Sequence, residues 1–177
     1  MDLRQKKTLR AIAQAFYTLR QQKKLEAITV TELCNQAEIS KATFYLHYRD
    51  MFDLSEKMQN EVIQNIFSKL ENPMEILTDP TGFMQTFTRV VEQESERIQV
   101  LFSHNQAGAL PLCILQYLKT YIFTHIPELK DDPKIHVFLN YHIMGSYYAC
   151  TESNMGYKET LKILEEIQIH FPEYRKT

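Results

Sequence analysis

Glycine and proline are scarce in this 177-residue chain, four and six residues in all. That argues for helices and against a loop-rich sandwich. Cysteine is rarer still: Cys34, Cys113 and Cys150 are odd in number, far apart and without a CxxC pair. A disulfide framework is therefore not expected, and three reduced thiols in a cytoplasmic protein are. No apolar run approaches the roughly 20 residues that span a bilayer. The opening stretch MDLRQKKTLRAIAQAF has neither the uninterrupted apolar segment nor the small-residue cleavage site of a secretory signal. Catalytic signatures are also lacking, with no G-x-S-x-G, no Walker-type loop and no H-E-x-x-H. His136 and His142 stand six apart, a spacing that does not make them neighbouring metal ligands on a helix. Glu92, Glu94 and Glu96 alternate, so on a helix they fan out and do not pair for acid–base work. These absences point to a protein that is not an enzyme, carries no cofactor or metal and does not enter a membrane.

What is present looks ordinary in bulk and uneven in detail. Apolar residues make up 44% and charged residues 24% of the chain, typical of a soluble domain. Net charge is −2, yet residues 1–49 hold nine Lys/Arg against four acids. A basic head that meets a polyanion and an acidic body that does not would account for the split.

Helical periodicity covers most of the chain. Leu3, Leu9, Ile12, Ala13, Phe16 and Leu19 recur near the helical period and predict a helix over 3–22. Thr29, with Glu32 three residues on, has the form of a capping box and starts a short helix near 30–36. Ser40 is a second N-cap, opening a helix over about 41–47. Asp50 is a third, ahead of the stripe Leu54, Met58, Val62, Ile66, Leu70 on a connecting helix over 51–70. The segment ENPMEILTDPTG, residues 71–82, looks like a connector. Beyond it, helices are expected near 81–103, 109–126, 133–153 and 157–170. No stretch alternates like a strand. The predicted fold is all-α: a three-helix head over 1–50, the connecting helix, and a helical body over 71–177.

Two short capped helices joined by a tight turn make a helix-turn-helix, whose second helix presents its N-terminal turn to the major groove. The residue types suit that task. Helix N-termini at Thr29 and Ser40 offer N–H groups to phosphate oxygens. Lys41 can reach a guanine edge or a phosphate, and Thr43 a base or a thymine methyl. Ala42 is small enough for close approach, while Tyr45 and His47 carry donors for phosphate. Residues 1–65, and above all TVTELCNQAEISKATFYLHY, resemble the DNA-binding domain of TetR/AcrR-type transcriptional regulators. The resemblance implies a homodimer that binds a near-palindromic double-stranded operator as a repressor and is often released by a small-molecule effector. Matched position by position, it implies DNA contacts from Ser40, Lys41, Ala42, Thr43, Tyr45 and His47, with Thr29 or Thr31. Where the family usually has a turn glycine this chain has Glu38, where it has a lysine this chain has Met51, and Leu46 replaces a commonly polar residue. Those departures favour an alternative: an interaction protein on the same scaffold, a coactivator or adaptor whose body binds another protein.

The body is rich in aromatics, which serve either as plain core or as the wall of a ligand cavity. Phe87, Glu94, Tyr117, Tyr121, Tyr141 and His142 are the candidates to line a site for an apolar or aromatic effector. Gly145, Ser146 and Ala149 are small enough for another helix to pack closely, and the last helix carries Leu164, Ile167 and Phe171. A dimer seam built from these two helices is expected.

Overall fold

The computed structural model describes residues 3–153 together with 155, 159, 160, 162, 163 and 166. Among them are eight α-helices and no strand: α1 (Leu3–Gln22), α2 (Val30–Gln36), α3 (Lys41–Tyr45), α4 (Met51–Ser68), α5 (Pro80–Gln93), α6 (Ser95–Leu101), α7 (Ala109–His125) and α8 (Pro133–Glu152). Most of the helix expected over 157–170 lies outside the described residues.

The starts follow from capping. The Glu32 N–H donates to Thr29 Oγ1 at 3.1 Å, and the Thr43 N–H to Ser40 Oγ at 3.0 Å. The Asp53 N–H donates to Asp50 Oδ1 at 2.8 Å. Each removes one orphan donor from a helix end. The capping box is only half of what its residues predict, because the Glu32 carboxylate turns to Lys23 Nζ. The expected connector is also more ordered than its prolines suggest. Asn72 and Asp79 cap a 3-10 helix over Pro73–Leu77 and α5, each with proline in its first turn. A Cβ on Gly82 would come within 2.3 Å of the Asp79 carboxylate, so a larger residue there would push the cap aside.

The helix expected over 81–103 is two helices, broken at Glu94. No proline or glycine marks the break. Asn65 Nδ2 and Lys69 Nζ, both on α4 or just beyond it, each reach Glu94 Oε1 at 2.6 Å. The Glu94 N–H bonds back to the Val91 carbonyl, three residues earlier, ending the α ladder.

The chain forms two compact units, residues 1–62 with 95–107, and residues 63–94 with those from 108 onward. The first is built around Ile12, Phe16 and Leu19 of α1, Leu33 of α2, Phe44 of α3, Leu54 and Met58 of α4, and Leu101. Segment 95–107, expected in the body, is tied to this head by three bonds. Arg20 Nη2 donates to Ser103 Oγ at 2.9 Å, Gln59 Nε2 to the Leu101 carbonyl at 3.0 Å, and Arg97 Nε to Tyr17 Oη at 3.1 Å. α4 contributes its first two-thirds to the head and its end to the body, so the chain passes between the units three times. The body's own core gathers Ile63, Ile66, Phe67, Phe83, Phe87, Ile114, Leu118, Ile122, Leu139 and Ile143.

Candidate functional site

α2 ends in a Schellman motif. The Ile39 N–H bonds to the Cys34 carbonyl at 3.0 Å and the Glu38 N–H to the Asn35 carbonyl at 3.3 Å. That arrangement places Glu38 at the left-handed position, with φ of 55°, where glycine is the usual occupant. The turn aims the start of α3 away from the core. Thr29, Thr31, Ser40, Lys41 and Ala42 are all exposed, whereas Phe44, one turn further, is fully buried. Tyr45 is 57% exposed and meets Phe44 edge to face, ring centroids 5.4 Å apart. Thr43 is half-buried, and its hydroxyl is 2.8 Å from Ser40 Oγ.

α3 is shorter than its expected range. The His47 and Tyr48 N–H groups both bond to the Phe44 carbonyl, at 2.9 and 3.0 Å, and close the helix after Tyr45. His47 therefore lies beyond the regular helix, half-buried. A carboxylate unremarked in the sequence pattern holds this end in place. Asp53 is nearly inaccessible and accepts from the Arg49 N–H at 2.9 Å, Arg49 Nη2 at 3.3 Å and Lys57 Nζ at 3.0 Å. The Arg49 N–H, then the Lys57 hydrogen bond, hold its carboxyl below the usual aspartate range. Lys57 Nζ also donates to the His47 carbonyl at 3.0 Å and lies 4.9 Å from the Tyr48 ring centre.

Not every cation counted in the basic head faces outward. Arg20 is buried, donating to the Lys23 carbonyl and to Ser103, and burial pulls its guanidinium below its ordinary value against the opposing pull of Glu26. Lys23 and Arg49 are paired with Glu32 and Asp53. Arg4, Lys6, Lys7, Arg10, Lys24 and Lys41 remain exposed and without an ion-pair partner among the described residues.

In the body, a cavity of about 180 Å³ is lined by Met84, Phe87, Val91, Leu110, Ile114, Ile143, Ser146, Tyr147, Cys150 and Thr151. Of the six residues expected to line an effector site, Phe87 lines this cavity. Glu94 is instead engaged by Asn65 and Lys69, Tyr117 stacks on Phe67 at 4.3 Å, and Tyr121 lies against His125 at 4.3 Å. Tyr141 is exposed, and His142 is buried beside Phe138, with burial lowering its pKa. The small residues of α8 part company. Ser146 faces the cavity, Ala149 is half-buried, and Gly145 is exposed, with nothing within 4 Å of where a Cβ would stand. Val137, Tyr141 and Tyr148, on the same side of α8 as Gly145, are also exposed. Leu164, Ile167 and Phe171 lie outside the described residues.

No family model, curated protein or solved structure matches the chain. Among the described residues no helix is long and apolar enough to cross a membrane, and no group of three or more His, Cys, Asp or Glu side chains is placed to hold a metal.

Proposed function

We propose that the chain is a DNA-binding transcriptional regulator of TetR/AcrR type, a repressor that binds a near-palindromic operator as a homodimer. The observation that carries the reading is the exposed N-terminal turn of α3, Ser40–Lys41–Ala42, standing on a buried Phe44. α2, the Glu38 turn and α3 then serve as the helix-turn-helix, with Thr29, Thr31, Thr43, Tyr45 and His47 around the contact surface. The six exposed, unpaired cations of the head favour a polyanionic partner. The exposed side of α8, with Gly145 among Val137, Tyr141 and Tyr148, suits a second copy of the chain across a two-fold axis. The body cavity suits an effector of about one ring, since an apolar cavity of about 150 Å³ already holds benzene. Ser146 and Thr151 offer it hydroxyls.

The test is a mobility-shift titration with the promoter next to the chain's own gene, at low and moderate salt. Specific binding is expected, weakened by Lys41→Ala and by Tyr45→Phe at unchanged helicity. Lys41→Ala should also flatten the slope of log K against log salt by about one. Variants that bind like the parent would remove α3 from the interface.

A second reading has its own observation. Leu46 is 81% and Phe52 56% exposed, apolar area of the kind that docks against protein. Those side chains weaken the case for DNA at this face, and a chain that ignores promoter DNA at low salt but captures a protein through its body would be the interaction protein.

A further inference from the structure

The head has a concavity remote in sequence from the α2–α3 turn. A groove of about 380 Å³ is lined by Lys6, Leu9, Arg10 and Ala13 of α1, Tyr48, and Met58 and Glu61 of α4. Its volume falls in the range of small-molecule sites, roughly 300–1,000 Å³. Leu9 and Ala13 are half-buried and Met58 is buried, which gives the groove an apolar floor. Lys6, Arg10 and Glu61 are exposed, and none has an ion-pair partner among the described residues. Lys23, Arg49 and Lys57 of the same unit each have one.

We propose that this groove binds a small organic anion with a flat apolar body and a hydroxyl at its far end, a hydroxylated aromatic carboxylate being the simplest case. Lys6 and Arg10 are one turn apart on α1, so both cations can converge on a single carboxylate. Leu9, Ala13 and Met58 cover the ring. Glu61, on the α4 wall, repels a second anionic group and accepts a hydrogen bond from a hydroxyl. Burial, reinforced by the carboxylates of Glu61 and Asp53, holds the Tyr48 phenol above its usual value. Tyr48 therefore stays a neutral wall. A nucleic-acid backbone fits the groove less well, because phosphates gain nothing from its apolar floor. Lys6 and Arg10 are also among the six cations that favour a polyanionic partner, but occupancy of the groove is measured without DNA, so the two readings fail separately.

The experiment is methyl NMR on the full chain, titrated with 4-hydroxyphenylacetate, phenylacetate, 4-hydroxybenzyl alcohol and acetate. Saturable shifts of the Leu9, Ala13 and Met58 methyls are expected with 4-hydroxyphenylacetate. The neutral alcohol, and acetate without a ring, should bind at least tenfold more weakly. Lys6→Ala combined with Arg10→Ala should weaken binding tenfold or more, and circular dichroism should show the helices intact, since alanine suits both surface positions. Glu61→Ala should retain carboxylate binding and lose the preference for 4-hydroxyphenylacetate over phenylacetate. Any of three results overturns the proposal: no saturation at millimolar ligand, equal shifts from acetate alone, or shifts confined to Ile114 and Ile143 of the body.

Discussion

Replacing Glu38 by glycine isolates the strain in the turn between α2 and α3. Glu38 holds φ at 55° because the Schellman bonds of Ile39 and Glu38 require it. For a side chain with a Cβ, the left-handed region costs roughly 1–2 kcal/mol. Glycine avoids that cost but loses roughly 0.5–1 kcal/mol to its freer unfolded state. The Glu38 side chain is exposed, so little packing is lost. The balance is a gain of about 0.5–1 kcal/mol, which corresponds to about two- to fivefold slower exchange of amides released by opening of the head. Hydrogen exchange at the Ala37 and Ile39 amides measures this directly, because their acceptors are the Leu33 and Cys34 carbonyls of α2. Glu38→Ala is the control. It removes the same charge but keeps the Cβ, and should show none of the gain. If the two variants exchange alike, the strain argument fails. On DNA the two should agree, because both remove an acid beside the proposed contact surface. Strain and charge are thereby read by separate assays.

Asp53→Asn should change how the head responds to acid. The carboxyl titrates below its unfolded value of about 3.9, so its stabilisation is complete above that pH and is lost as pH falls through the folded value. The parent should lose stability below about pH 4 more steeply than the variant, as followed by acid titration of ellipticity; parallel curves would refute the role given to Asp53. His142 has the same sign at higher pH. Its folded pKa is lowered by burial, so stability should decline as pH drops below about 6.5 and level off under the folded value, and His142→Gln should flatten that decline in thermal melts at pH 5 to 7. A Cβ at Gly145 meets no neighbouring atom within 4 Å, so Gly145→Arg should leave the fold unchanged. Sedimentation should show a monomer in place of a dimer, with loss of DNA affinity; a Gly145→Arg variant that stays dimeric would move the seam elsewhere. Ser146→Phe fills the body cavity and should abolish thermal stabilisation by small aromatic compounds, where Gly145→Arg should not.

The starts of α2, α3 and α4 and the all-α class could be read in the residues, because capping and helical periodicity are local. Thr29, Ser40 and Asp50 bond to N–H groups three residues away, and no distant contact is needed to place them. Exposure of the α3 N-terminal turn was legible for the same reason, since Phe44 sets the buried side and Ser40 to Ala42 follow on the other. Long-range contacts decided what remained. The break at Glu94 depends on Asn65 and Lys69, some 25 to 29 residues away, and the attachment of α6 to the head depends on Tyr17, Arg20 and Gln59. On α8 the sequence did not separate core face from surface face: Tyr141, expected at a pocket, is exposed, while Ser146, expected at a dimer seam, is buried and lines the cavity with Cys150, and His142 packs beside Phe138. Composition likewise counted Arg20 and Lys6 as equal charges. One is buried under Ser103 and the other is free in a groove, because only packing decides which side of a helix a second element covers.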